Sequence, residues 1–460
     1  SSTKLFRRKA DNDFRHQLGA ESQRQRNAGF LHYGLIQHFQ YNVNPQNQLS
    51  FHLWYNDYFR EVQPNKFDQN SDETLESENL RMTLKWQWLL NHSVGKVQAG
   101  YTHDYQLYDG SELIQVYRWF SSVENEWSQI KNTTIRFGAN LNYLKPEVDA
   151  YQQGVSEYRS DIYGSAVWDA IPNLSLALSL RTPMVNGNFQ KVLPMVSAEY
   201  GLFKSTHLNW SADFQMGTSF RLPTLNDRYW YPGGNENLLP EFSRNLELGM
   251  DLVLSQSNLV WNIGMRGFRH QVDNWIIWIP GGRDEDQNGE ITSFWFPDNI
   301  REVLAYGFEY ESAVDWQLPV SNLSSSIAVN GIYNRSLNKK SISPVDRSVD
   351  KQLPYTPVNV VNLNWTWKYH SWYTGITGQY RSKRYVESNN ELPPLDAFTL
   401  WNVVAGKRGA QGPINWALEL QVNNITSRDY ETFENRAMPG RNYLINLSIN
   451  FNNKTKHEVL

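Results

Sequence analysis

The segment NYLINLSINF, Asn442–Phe451, alternates along its length. Tyr443, Ile445, Leu447, Ile449 and Phe451 point one way, and Leu444, Asn446, Ser448 and Asn450 the other. Successive side chains of a strand project to opposite faces, so this reads as a strand with one apolar and one mostly polar face. A half-buried strand of a soluble sandwich has the same period, and one segment does not separate the two. Repetition does. The comb recurs at Leu49, Phe51, Leu53, Tyr55, at Met82, Leu84, Trp86, Trp88, at Ile135, Phe137, Ala139, Leu141, Tyr143, and at Leu174, Leu176, Leu178, Leu180. It returns in 208–216, 361–367 and 414–422, where mostly Asn, Ser, Asp, Gln, Thr and Glu fill the gaps. Walls with lipid on one side and water on the other have this pattern, because every backbone group must pair with a neighbouring strand. The predicted fold is all-β, a large transmembrane antiparallel β-barrel.

Composition agrees. The 460 residues are only 40% hydrophobic, yet 14% are aromatic, with 18 Trp and 25 Tyr. Mean hydropathy is -0.60. No helical heptad is found, and no run approaches the ~20 apolar residues of a membrane helix. Trp54, Tyr55, Trp86, Trp88, Trp275, Trp278 and Trp401 lie near segment ends, as interfacial girdles require. Cysteine is absent, which excludes disulfides, zinc-thiolate sites and thiol nucleophiles. A net charge of -4 is too balanced to point to nucleic acid. The ten His are scattered, with no His-Glu-x-x-His and no Gly-x-Ser-x-Gly, so no enzyme is expected.

The chain divides into roughly twenty strands of the ~9–11 residues a tilted membrane strand needs. Tight turns are expected at 45–47, 91–95, 131–132, 172–173, 204–205, 256–258, 319–322, 370–371 and 409–413, mostly at Gly, Pro, Asn and Ser. Longer loops fall between them at 11–27, 64–76, 146–156, 220–241, 280–299, 336–353 and 387–395. Short periplasmic turns opposite long outer loops are the habit of outer-membrane barrels. Residues 1–451 are thus read as barrel and 452–460 as a C-terminal periplasmic tail.

The stretch GTSFRLPTLNDRYWYPGGNENLLPEFSRNLELG, 217–249, resembles the mid-barrel motif of TonB-dependent outer-membrane receptors. In that motif Phe-Arg-x-Pro-x-Leu-Asn ends a strand and the chain returns through Gly-Asn-x-x-Leu-x-Pro-Glu. Three further matches follow in order: WIIWIP with FWFPDNIREVLAYGFEYE, then RSKRYVESNNELPPLDAFTLWNV, then NNITSRDYETFENRAMPGRNYLINLSINF with its Phe-ended last strand. The resemblance implies a barrel in the outer membrane of a Gram-negative cell, embedded in its lipid. It implies energy-coupled uptake of a scarce nutrient such as a cobalamin or iron-siderophore complex. The partners implied are an N-terminal plug that fills the lumen and, through the plug, the TonB complex. TKLFRRKADNDFRH, 3–16, resembles the family's third strand, so the chain is read as strands 3–22 of a 22-stranded barrel. The plug would then lie in an upstream segment or on another chain. A plugless porin-like channel, or a structural barrel in a larger complex, is the alternative.

For the ligand, the loop after Phe220 is the expected site: Arg221, Asn226, Asp227, Arg228, Tyr229, Trp230 and Asn235 combine stacking surfaces with forked donors suited to a metal chelate or cobalamin-like ligand. The competing reading is that the loop merely shapes a long hairpin. A second constellation, Asp284, Asp286, Asn288 and Glu290 with Gly289, reproduces the first half of a calcium loop, although its twelfth position is Trp295. Calcium (Ca2+) is therefore the one metal considered, against a solvated acidic tip.

Overall fold

The computed structural model describes residues 1–451 apart from 68–69, 286–290, 319–321, 342–343 and 345. β1 (Ser2–Ala10) leads into a long loop that folds back as a small hairpin, β2 (Arg15–Leu18) with β3 (Glu21–Arg24). Antiparallel strands then follow in succession: β4 (Phe30–Asn44), β5 (Asn47–Glu61), β6 (Thr74–Leu90), β7 (Ser93–Tyr108), β8 (Glu112–Trp127), β9 (Thr133–Val148), β10 (Glu157–Ile171) and β11 (Leu174–Val185). After the two-residue β12 (Asn188–Phe189) come β13 (Leu193–Lys204), β14 (Leu208–Arg221), the one-turn helix α1 (Leu225–Tyr229), β15 (Glu241–Gln256), β16 (Leu259–Glu285) and β17 (Ile291–Leu318). β18 (Leu323–Asn338), β19 (Asn359–Tyr369), β20 (Trp372–Arg381), β21 (Phe398–Gln411), β22 (Ile414–Asn423) and β23 (Asn442–Phe451) complete the wall.

Twenty of these strands, with the short β12 added beside β11, form one continuous antiparallel sheet in chain order, from β1 against β4 to β22 against β23. Among the described residues, β4 to β22 are paired on both sides except the short β12, which pairs with β11 alone, whereas β1 and β23 are paired on one. Turns and loops sort to opposite ends as expected. Left-handed residues make the tight reversals possible: Asn132 has φ 58° and Gly412 φ 59°.

The register carries the alternation around the wall. Leu53, Met82, Tyr101, Trp119, Tyr143 and Tyr158 are successive cross-strand partners on β5 to β10. The last four rings touch at centroid distances of 5.4, 5.6 and 4.6 Å, a girdle near the loop end. Trp86 with Trp88 (5.0 Å) and Trp365 with Trp367 (4.0 Å) belong to a second girdle near the turn end. Between them the apolar face is open: Leu84 is 54% exposed, Phe137 51%, Leu178 48% and Leu248 59%. That is the outer face of a barrel whose solvent is hydrocarbon.

The packed part of the molecule lies at the loop end. Val155, Leu238, Ile276, Val303, Leu337, Phe398 and Ala437 are its buried apolar residues, joined by buried Glu157, Asp227, Glu241, Asn338 and Arg384. One expectation is corrected here. Residues 280–299 were expected to be a loop, but β16 and β17 pair on through Glu285↔Ile291. Register shifts at Val272/Trp275 and Pro280/Gly282 absorb the Pro and Gly that read as strand breakers.

Candidate functional site

The loop joining β14 to β15 is the expected ligand loop, and its fold starts from one capping residue. Thr224 is the N-cap of α1: its hydroxyl accepts the Asp227 amide at 3.0 Å, and the Asp227 carboxylate accepts the Thr224 amide at 2.8 Å. This reciprocal box satisfies two orphan helix donors. The other Asp227 oxygen accepts the indole N–H of Trp278 on β16 at 2.9 Å, so the carboxylate is engaged on both sides.

The neighbouring polar residues are tied down in the same way. The Arg228 guanidinium donates to Glu157 at the start of β10, and Glu157 also accepts from Arg159. Glu157 is 1% exposed, so one carboxylate is buried between two arginines. Arg221 donates to both oxygens of Glu241 at 2.9 and 3.0 Å, and Glu241 accepts the Ile276 amide at 3.0 Å. Asn226 accepts the Tyr151 hydroxyl at 2.6 Å, and Asn235 donates to the Pro297 carbonyl at 3.3 Å. Trp230 bridges to Tyr151 through backbone pairing, and the Tyr229 ring lies 6.0 Å from that of Tyr151. Gly233 sits at φ 120°, where a Cβ would lie 2.3 Å from the Trp295 carbonyl; only glycine allows this approach to β17.

The structure therefore brings all seven residues together, with five of them, Arg221, Asn226, Asp227, Arg228 and Asn235, holding a clasp across β10, β15, β16 and β17. Tyr229 and Trp230 contribute ring surface. Of the residues that complete the clasp, Tyr151, Glu157 and Arg159 were not singled out from the sequence, and Trp278, expected in an interfacial girdle, instead donates to Asp227. Nothing local marks Tyr151, Glu157 and Trp278, because their partners in the loop are 51 to 75 positions away.

Burial pushes the Tyr151 phenol up to about 12, with Asp227 and Tyr229 adding to the shift and Arg228 opposing it. A phenol whose pKa rises on folding contributes stability in full below its unfolded value near 10. That contribution is lost as pH climbs through about 12. Ultraviolet titration should then lose one tyrosine from its late-ionising steps in Tyr151→Phe; an unchanged set of steps would refute the assignment.

Of the candidate calcium ligands, Asp286, Asn288 and Glu290 lie outside the described residues, as does the side chain of Asp284. Among the described residues no group of three His, Asp or Glu is arranged to hold a metal ion. The tail 452–460 also lies outside them.

The chain matches the family model described as TonB dependent receptor-like, beta-barrel over residues 3–425. It is 24% identical over 354 residues to a vitamin B12 transporter BtuB of Photobacterium profundum, covering 77% of this chain and 50% of that protein. A second BtuB, of Vibrio vulnificus, is 25% identical over 218 residues, 47% of this chain and 30% of the relative. The chain thus spans half or less of the length of these relatives. Among solved structures, the copper transporter OprC superimposes with a TM-score of 0.73 at 12% identity, covering 97% of this chain and 75% of OprC. The ferric citrate transporter FecA gives 0.66 at 15% identity, covering 96% and 74%. These likenesses show the fold.

Proposed function

The chain belongs to the TonB dependent receptor-like β-barrel family, and from that premise we propose that it is the barrel of a receptor for energy-coupled uptake of a scarce nutrient. Proteins of this family are transporters and receptors of the Gram-negative outer membrane, and this barrel is located there. On this reading the apolar face and its two girdles meet outer-membrane lipid, and the clasp is the rigid outer rim. The chain catalyses no covalent reaction.

The ligand class proposed is a metal chelate of the corrinoid or siderophore kind. The BtuB relatives support the first, and FecA, at the level of fold, is compatible with the second. Tyr229 and Trp230 offer the stacking surface, while Arg221, Asn226, Asp227, Arg228 and Asn235 hold the loop that presents it. The observation carrying the reading is the clasp itself: binding residues gain from a scaffold that costs no ordering when ligand arrives.

Among the described residues the outer edges of β1 and β23 are unpaired, which supports a barrel closed by further strands, since an open edge is not tolerated in hydrocarbon. β1 runs toward the loop end and β23 toward the turn end, so an even number restores antiparallel order. Two such strands, with a plug that engages TonB, make the chain strands 3–22 of the whole.

The test is equilibrium binding to receptor purified from outer membranes, titrated with cyanocobalamin and with ferric citrate. One of the two should bind, and Trp230→Ala should weaken it by about tenfold through lost stacking. Binding of neither would reject the ligand class; binding unchanged by Trp230→Ala would reject the loop.

A further inference from the structure

We infer that the inner wall is a docking surface for a folded polypeptide whose own charge is segregated, basic where it faces β13 to β17 and acidic where it faces β1 to β9. This rests on the plug reading above and goes beyond it by fixing the chemistry and orientation of the occupant. The starting point is the register. Glu199 and Asp213 are direct cross-strand partners on β13 and β14. Asp251 on β15 and Glu311 on β17 flank Gly264 on β16. Both carboxylates lean over that glycine: a Cβ there would lie 3.0 Å from Asp251 Oδ1 and 3.1 Å from Glu311 Oε1. Glu309 and Asp315 continue the same inner face of β17. Arg266 answers Asp213 at 2.8 Å, and His270 lies 3.4 Å from Glu247. Among the described residues Glu199, Asp251, Glu309, Glu311 and Asp315 form no ion pair.

The other wall has the opposite sign. On the inner face of β1 to β9, Lys96 pairs with Glu124 at 2.8 Å and Arg81 with Asp104 at 2.9 Å. Lys4, Arg8 and Lys85 have no carboxylate partner among the described residues, and Arg118 donates to the carboxamide oxygen of Asn142 at 3.0 Å and lies over the Phe120 ring. The third sector, β18 to β22, is mostly carboxamide and hydroxyl, with Lys368, Arg381 and Arg408 beside Glu419 on its inner face. There Asn362 donates to Asn330 at 2.9 Å, Gln379 to Asn362 at 3.2 Å and Asn402 to Thr377 at 3.0 Å.

Adjacent like charges across strands are destabilising, so an acidic wall of this kind calls for counter-charge from outside the chain. A pore that selects ions carries one sign in a ring around its axis. Here the signs stand on different walls, which suits a body that spans the lumen and touches both. A barrel of this strand number is wide enough to require filling by such a body. Charge complementarity then fixes its rotation about the barrel axis, because half a turn would set like charges together.

The experiment places p-benzoylphenylalanine at Ser197, on the acidic wall, and separately at Thr83, on the basic one, leaving every charge intact. The full-length receptor is irradiated in outer membranes, and cross-linked peptides are identified by mass spectrometry. The expected result is Lys- and Arg-rich polypeptide at Ser197 and Asp- and Glu-rich polypeptide of the same folded body at Thr83. Glu309→Lys with Glu311→Lys should lower the yield at Ser197 about tenfold, while Asn330→Lys with Asn362→Lys changes it much less. Peptides without charge bias, or equal losses from both double variants, would overturn the charge proposal and leave the plug intact. No polypeptide cross-linked at either position would overturn the plug reading and this inference with it.

Discussion

Glu157→Ala should release the outer clasp while leaving the barrel inserted. Its carboxylate is the common acceptor for Arg228 and Arg159 and is 1% exposed, and Arg228 itself is only 13% exposed. Removing the acceptor leaves a cation out of water without a partner, which costs about 3–5 kcal/mol. The strands are held by their own ladders, so that cost falls on the loop. Amide exchange over 224–237 should accelerate by two orders of magnitude or more, and protease should cut there in folded receptor. Glu157→Gln keeps an acceptor oxygen and should lie between the two. Glu157→Leu combined with Arg228→Leu should recover much of the loss, because paired apolar side chains leave no orphan charge. Unchanged exchange in Glu157→Ala would mean that the arginines are already solvated and that the clasp does not depend on this carboxylate.

Leu178→Arg and Ser179→Arg should differ sharply although they are neighbours on β11. Leu178 is 48% exposed and paired with Ala166, on the face where Leu174, Leu176 and Leu180 also lie. Ser179 faces the lumen beside Ser197 and Arg181. A guanidinium on the lipid face near mid-membrane costs about 2–4 kcal/mol, and one in a wet lumen very little. Folding into lipid vesicles, followed by heat-modifiable electrophoretic mobility and urea titration, should show a lower midpoint for Leu178→Arg alone. Equal destabilisation of the two would contradict the assignment of inner and outer faces from which the fold, the girdles and the charged lumen walls are all read.

The wall was legible in the sequence because its signal is local. Alternation has a period of two, and a strand with one wet and one greasy face states its orientation residue by residue, as in Asn442–Phe451. The sorting of short and long connections was equally visible, since Gly, Pro and Asn mark reversals by their own backbone preferences. The exception at 280–299 is instructive. Pro280, Gly281 and Gly282 carry a loop signal that a paired strand with bulges overrides.

The candidate site was legible only as a neighbourhood. Arg221, Asp227 and Arg228 were picked out by chemical type, and type does not say whether a forked donor is spare or spent on a partner. Register and loop packing bring Glu157, Trp278 and Tyr151 to them from other hairpins. Segregated lumen charge is hidden for the same reason: Glu199, Asp251 and Glu311 are far apart in the chain and become one wall only when β13 to β17 are laid side by side. The sequence by itself determined that this protein is a membrane barrel, because side-chain alternation and turn preference act over a few residues. The tertiary structure alone decided which polar groups are bound to one another and which still face the lumen, because that depends on strand register, which sets distances between residues no local rule connects.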